Sequence, residues 1–289
     1  MSVFLMKLLA VISMLIDHAG YFLRFKFHIG DKLYILMRSL GRFAFPVFCF
    51  LIVNGFEKSS DRPRYIARLT AFAAISQIPF SLAVSSANYS YIAMDGFMLK
   101  YPPILVIVLL IAVSLCWYMS VRADATALLP AAALLLGVSR FGNSGIYVLY
   151  PSMNVFYTLA LGLACICFLD NISDGGKIPR RKALLQLMCL LSALLLIRGN
   201  ADYGYLGLAL IILLWLTRSD RKLQILVILL WSAYEYIATL SRPEYFIVAA
   251  ASVLPVLFYN GKLGHPFKTG FYIFYPAHLL VLGLLAILL

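Results

Sequence analysis

Residues 3–23 read VFLMKLLAVISMLIDHAGYFL, a stretch that is apolar along almost its whole length. About 20 consecutive apolar residues are what a helix needs to cross the hydrocarbon core of a bilayer. The stretch lacks a small-residue cleavage site after its apolar part and instead ends in Asp17, His18, Tyr21 and Arg24. We therefore expect a retained first transmembrane helix rather than a signal peptide.

Similar apolar runs recur along all 289 residues, of which 63% are hydrophobic and only 12% charged. A soluble domain carries roughly a quarter charged residues. The runs are continuous rather than alternating, which favours helices over barrel strands. We place them at 3–23, 33–55, 64–84, 101–121, 124–139, 147–169, 183–198, 204–217, 222–240, 244–259 and 270–288. The sequence predicts an all-α polytopic membrane protein of about eleven helices (roughly nine to eleven, since three runs are short), forming a single domain over residues 1–289.

The basic residues are distributed unevenly between alternate loops. The formal net charge is +12, which in a soluble protein would suggest a nucleic-acid partner. Here most of the 24 Lys and Arg residues lie in loops on one side of the predicted bundle, so their placement explains the charge. By the positive-inside rule the N-terminus is cytoplasmic, the C-terminus is outside and the number of spans is odd. We expect a multi-pass protein of the inner or plasma membrane, in contact with the lipid bilayer and not with nucleic acid.

The five cysteines all fall inside apolar runs, at Cys49, Cys116, Cys165, Cys167 and Cys189. A disulfide there would have to bridge packed helices, and a metal site would need further ligands at suitable spacing. Neither pattern is present, so we interpret these cysteines as small apolar core residues and expect no metal.

Ionisable residues inside the apolar runs mark the candidate site, because each one is costly in lipid unless it is paired or hydrated. Asp17 and His18 lie within the first run, and Arg38 and Arg42 lie on one face of the second. The connection between the two runs is short, which predicts antiparallel neighbours and a buried ion pair between Asp17 and Arg38. Adjacent helical residues diverge by about 100°, so Asp17 is poorly placed to orient His18. A purely structural clamp between the helices is the alternative.

His18 and His278 carry the candidate chemistry. A neutral imidazole is the usual general base for an amine or hydroxyl proton, although a lone histidine can equally be a packing residue. His278 follows Tyr275 and Pro276 in the last run, near the predicted membrane centre. We expect the ionisable groups of the first, second and last runs to converge in one polar chamber. Pro46 would kink its helix and free the carbonyl of Arg42, and Pro276 would free the carbonyl of Tyr272.

Three charged residues outside this group are further candidates. Arg64 and Arg68 belong to a cytoplasmic basic cluster that suits the phosphates of a cytosolic acyl donor. Such clusters also fix topology and bind anionic lipids, which is the alternative here. Asp202 lies at the predicted outer start of the eighth run, where an external acceptor would arrive. Gln77 and Asn154 are weaker signals, since each can satisfy backbone groups near a helix end.

These polar residues fall in five blocks of sequence. They are KLLAVISMLIDH (7–18), GRFAFPVFCFLIVNGF (41–56), Arg68 followed by ISQIPF (75–80), DYG (202–204) and FYPAH (274–278). In the same order and across nearly the whole chain, the blocks resemble the TraX family of membrane proteins. Asn54 departs from the family pattern, in which an acid often precedes the Gly-Phe, so no role is carried over for that acid.

The resemblance implies a function that spacing alone does not. TraX is associated with acetylation of the N-terminus of conjugative pilin and is similar to the wider group of membrane acyltransferases that use cytosolic acyl-CoA. It implies acetyl-CoA as the donor, His18 with Asp17 as the catalytic core, Arg42 in the active-site tunnel, and Tyr275 and His278 completing the site. Arg38 is expected beside Arg42 in substrate binding.

We therefore predict a membrane O- or N-acetyltransferase that acts on an amine or hydroxyl of a peptide N-terminus, glycan or lipid. A proton-coupled secondary transporter or flippase is the main alternative, because buried Asp, His and Arg side chains would then form a proton relay. A non-enzymatic assembly or anchoring protein is a third possibility.

Overall fold

The computed structural model describes residues 1–87, 153–173, 202–238 and 242–289. Within these ranges the chain forms helices and no strand, in agreement with the predicted all-α class. The helices are α1 (Val3–Phe27), α2 (Asp31–Gly41), α3 (Ala44–Lys58), α4 (Arg62–Ala87), α5 (Val155–Ser173), α6 (Gly204–Leu216), α7 (Arg221–Ala238), α8 (Pro243–Ala251), α9 (Val253–Leu257) and α10 (Lys268–Leu288).

Four helical stretches of the described residues are long and apolar enough to cross a membrane: Val3–Phe27, Asp31–Lys58, Arg62–Val84 and Thr269–Leu288. The helix α1 also exposes an apolar stripe, formed by Leu5, Leu9, Ile12 and Leu15. Exposed apolar stripes are typical of a protein surface that faces lipid. The predicted runs 101–121, 124–139 and 183–198 lie outside the described residues, so the count of eleven and the cytoplasmic N-terminus stay predictions.

The chain divides into two compact units, one formed by Met1–Asn54 with Leu213–Leu289 and the other by Gly55–Ile212. In the first unit α2 packs against α1, α8 packs against α2 and α7, and α10 packs against α1. In the second unit α4 packs against α5. The single domain over residues 1–289 stays a prediction.

Local sequence signals explain where α1 begins and ends. Ser2 is the N-cap, and its side-chain oxygen accepts a hydrogen bond from the Leu5 amide. Arg24 and Lys26 lie in the last turn, where positive charge is favourable at the C-terminal end of a helix. His28 then takes the left-handed conformation with φ 52°, which ends the helix. The chain turns back at once into α2, as the short connection predicts.

The predicted second run contains a tighter turn at Arg42 and Phe43 within the helical stretch Asp31–Lys58. Helix α2 ends at Gly41, and the amides of Arg42 and Phe43 donate to the carbonyls of Ser39 and Leu40 in a tighter turn before α3 begins. Pro46 explains this turn, because it has no N–H to donate to the Arg42 carbonyl and its ring would clash with that group in a regular helix. Arg42 keeps right-handed helical angles, with φ −63° and ψ −20°, at the point where α2 passes into α3.

Helices α1 and α10 run in the same direction. Phe4 and Phe271 pack together at one end, with ring centroids 5.7 Å apart, while the Lys26 ammonium donates to the Ala286 carbonyl at the other. The backbone amides of Val3 and Phe4 also donate hydrogen bonds to the carbonyls of Lys262 and Leu263, which precede α10. An odd number of spans requires this parallel relation between the first and last helices.

Candidate functional site

The imidazole rings of His18 and His278 are in direct contact in the first unit. The Nδ1 atom of His18, on α1, lies 2.7 Å from the Nε2 atom of His278, on α10. The two ring planes are within 7° of each other and the centroids are 5.0 Å apart. The residues that the sequence predicts to converge from the first and last runs are thus joined by a hydrogen bond.

Aromatic side chains of α10 hold the His278 ring in place. Phe274 lies nearly parallel to it at 4.8 Å, and Tyr275 approaches it edge-on at 5.6 Å. The Tyr275 ring also meets the His18 ring edge-on at 6.2 Å. Because Tyr275 and His278 are only 2% and 7% exposed, these contacts fix the orientation of His278 more firmly than that of the partly exposed His18.

The expected ion pair between Asp17 and Arg38 is present, with 2.7 Å between Oδ2 and a guanidinium nitrogen. Gly41 makes room for the carboxylate: a Cβ placed there would lie 2.6 Å from Oδ1 of Asp17. Gly20 similarly faces Met37, so α1 and α2 approach closely through small residues, as membrane helices commonly do. Asp17 therefore serves the α1–α2 contact and does not orient His18.

The second arginine has partners that sequence reasoning missed. A guanidinium nitrogen of Arg42 lies 3.5 Å from Oε2 of Glu235 on α7, and the Arg42 guanidinium lies 5.5 Å from the centroid of the Tyr245 ring on α8. Glu235 is buried in an otherwise apolar run. The rule that singled out Asp17, an ionisable residue inside an apolar stretch, applies equally to Glu235 and could have found it.

Asp17, Arg38, Arg42 and Glu235 form one electrostatic cluster, called here the charge cluster. Asp17 interacts electrostatically with both arginines, and Glu235 interacts with Arg38 and Asp17 as well as with Arg42. Both guanidinium groups also act on His18. The two guanidinium groups and the two carboxylates of the charge cluster have a formal net charge of zero. The structure therefore places a charge-balanced cluster beside the histidine pair.

The remaining predicted residues belong to the second unit. Arg64 is exposed and pairs with Asp61, whose side chain also caps the start of α4 by accepting from the Arg64 amide. Arg68 is exposed too, with its guanidinium 5.4 Å from the centroid of the Tyr65 ring. Asp202 bonds through its backbone, since its amide donates to Met153 and its carbonyl accepts from Thr158. Their predicted substrate roles stay predictions.

The weaker polar signals also meet inside the second unit. The Asn154 side-chain amide donates to Oε1 of Gln77 at 2.9 Å and to the Ala73 carbonyl at 2.8 Å. Oδ1 of Asn154 accepts from the Phe156 amide at the start of α5. The contacts satisfy backbone groups near a helix end and tie α4 to α5, so they have a structural explanation.

Comparison with known proteins identifies the family of this chain. Residues 2–99 and 145–286 match the family described as TraX protein. A relative from Dichelobacter nodosus, named "Probable fimbrial assembly protein FimC, serogroup H1", is 24% identical over 293 residues, covering 97% of this chain and 94% of the relative. No solved structure matches. Because the family match covers most of the chain, including every residue of the histidine pair and the charge cluster, this protein belongs to the TraX family.

Proposed function

We propose that this chain is a membrane-embedded acetyltransferase that moves an acetyl group from cytosolic acetyl-CoA to an amine or hydroxyl acceptor at or beyond the membrane. The observation that carries the proposal is the contact between His18 and His278 beside the charge cluster. A general base needs a neutral imidazole within reach of substrate. His18 is partly exposed, whereas its partner is buried.

In the proposed reaction His18 takes the proton of the acceptor while the acceptor nitrogen or oxygen forms a bond to the acetyl carbon. The carbon–sulfur bond then breaks, and its electron pair leaves on sulfur. The thiolate of CoA takes up the proton from His18, which returns to its neutral state for the next cycle. General base catalysis of this kind contributes about 10²–10⁴-fold to a rate.

The charge cluster is proposed to set the electrostatic environment of His18. The guanidinium groups of Arg38 and Arg42 act electrostatically on His18, and the carboxylates of Asp17 and Glu235 pair with these guanidinium groups. Arg38 and Arg42 are thus proposed to line the substrate path while held by carboxylates. Tyr275, packed against both imidazoles, would support the same site.

The donor and acceptor are proposed to reach the site from opposite sides. The exposed guanidinium groups of Arg64 and Arg68 suit the phosphates of CoA on the cytoplasmic side. Asp202, at the predicted outer start of α6, would meet the acceptor. This arrangement assumes a location in the inner membrane with a cytoplasmic N-terminus.

The relative's printed name favours a fimbrial subunit as the acceptor. The D. nodosus protein is named for fimbrial assembly, and it aligns with nearly the whole of this chain. An exported subunit presents a free N-terminal amine, which is a nucleophile for acetyl transfer. We therefore propose a peptide N-terminus as the first acceptor to test, before glycan and lipid hydroxyls.

The experiment uses permeabilised membranes from cells that express the full chain, mixed with radiolabelled acetyl-CoA. Label is counted in the protein, glycan and lipid fractions, and free CoA is measured in parallel. The proposal predicts label in one of these fractions and an equal amount of CoA released. Solute uptake into proteoliposomes without CoA release would instead favour a proton-coupled transporter. Label bound to the purified chain itself would identify a ping-pong reaction through an acetylated residue.

A further inference from the structure

The ring nitrogens of the histidine pair form a chain of hydrogen bonds that ends on a backbone carbonyl. Nδ1 of His278 lies 2.8 Å from the carbonyl oxygen of Phe274, and Nε2 of His278 lies 2.7 Å from Nδ1 of His18. A carbonyl oxygen only accepts, so the proton of a neutral His278 is on Nδ1. Its Nε2 is then an acceptor, and Nδ1 of His18 must be the donor. In a neutral His18 this leaves Nε2 with an unprotonated lone pair.

The geometry agrees with hydrogen bonding in the plane of the rings. Two nitrogens 2.7 Å apart are closer than the roughly 3.5–4.0 Å at which the carbon atoms of stacked groups pack. The rings of His18 and His278 therefore approach edge to edge, with planes only 7° apart. In this orientation the lone pair on Nε2 of His278 points along the N–H bond of His18, which is the favourable alignment.

We propose that His278 is a positioning residue that holds His18 in the Nδ1–H tautomer, so that Nε2 of His18 is the atom that accepts the acceptor's proton. The inference rests on the proposed function, in which His18 is the general base, and it explains how the tautomer of that base is selected. Both ring nitrogens of His278 are engaged, one by Phe274 and one by His18. His278 therefore acts through His18 and does not touch the reacting atoms.

The arrangement replaces the carboxylate that orients a catalytic histidine in a triad. Such a carboxylate accepts the Nδ1–H bond and fixes the tautomer. Asp17, the adjacent acid, is paired with Arg38 instead. The neutral imidazole of His278, itself fixed by the Phe274 carbonyl, takes over the accepting role.

Two substitutions separate the two hydrogen bonds of His278. In His278→Gln the side-chain oxygen reaches the former position of Nε2 and can still accept from His18. In His278→Asn the side-chain amide reaches the former position of Nδ1 and can bond only to Phe274. We expect His278→Gln to keep acetyl transfer within about tenfold of the parent, and His278→Asn to lose about a hundredfold in kcat with little change in KM for acetyl-CoA. Equal activities of the two variants would overturn the positioning role.

The tautomer is measured directly by nitrogen NMR of the full chain in nanodiscs, labelled with ¹⁵N-histidine. The chain has only 4 histidines, so substitution of His28 and His265 assigns the remaining signals to the pair. We expect Nδ1 of His18 to be protonated and Nε2 to be unprotonated at pH 7.5. His18 protonated at Nε2 would overturn the inference. The expected tautomer without any acetyl transfer would contradict the proposed function alone.

Discussion

Nδ1 of His18 and Nε2 of His278 lie 2.7 Å apart although 260 residues separate them in the chain. One belongs to the first helix and the other to the last, and the two helices run parallel. The contact closes the first unit, whose residues come from both ends of the chain. The hydrogen bond joins a buried imidazole, His278, to a partly exposed one, His18.

His18→Asn is expected to lower the rate of acetyl transfer by about 10²–10⁴-fold, because an amide cannot accept the proton. The assay is label transfer from acetyl-CoA in permeabilised membranes. His28→Asn is the matched control: His28 is exposed, and its left-handed backbone, with φ 52°, is one that asparagine adopts readily. A His18→Asn protein that keeps the parent's rate would remove His18 from the mechanism.

Asp17→Asn is expected to destabilise the protein by about 3 kcal/mol, since it leaves the charge of Arg38 without its carboxylate. The Asp17 and Arg38 side chains are only 14% and 24% exposed, so water replaces the lost partner poorly. Unfolding is followed by SDS titration in mixed micelles. The double variant Asp17→Asn with Arg38→Gln should recover part of the loss, and simple additivity would show that the pair does not interact.

The pair of Arg42 with Glu235 is expected to have a smaller coupling energy than the pair of Asp17 with Arg38. The distances are 3.5 Å and 2.7 Å, and hydrogen bonding weakens over this range. Double-mutant cycles with Arg42→Gln and Glu235→Gln measure the coupling in the same titration. A coupling energy for Arg42 with Glu235 that equals or exceeds the coupling energy for Asp17 with Arg38 would contradict this prediction.

Gly41→Ala is expected to destabilise the protein by about 1–3 kcal/mol, because the added methyl group would collide with the Asp17 carboxylate. Gly30→Ala is the matched control. Gly30 has φ −60° and nothing within 4 Å of an added Cβ, so the cost there should be about 0.5 kcal/mol. Equal effects of the two substitutions would contradict the close α1–α2 packing.

Sequence reasoning found the ion pair of Asp17 with Arg38 because only local information was needed. A short connection between two apolar runs makes them antiparallel neighbours, and depth along each helix then selects the partners. The position of Pro46 likewise predicted an irregularity in the backbone, which is present as the tighter turn at Arg42 and Phe43. Features set by one or two adjacent helices are therefore readable from the sequence.

The sequence predicted that His18 and His278 lie in a shared polar chamber, but it did not predict their direct contact. Its hydrogen bond depends on how α10 is rotated about its own axis, which is set by packing against α1, as in the contact of Tyr275 with His18, rather than by sequence distance. The pairing of Glu235 with Arg42 was missed for a related reason, since the two residues lie far apart in the sequence. Tertiary packing decided both contacts.

The most direct test is an electron cryo-microscopy map of the chain with an acetyl-CoA analogue in which a methylene replaces the sulfur. We expect the acetyl carbon to lie within about 6 Å of Nε2 of His18, which is the distance that an acceptor atom bridging the two would impose. Analogue density elsewhere in the chain, or no bound analogue at millimolar concentration, would contradict it.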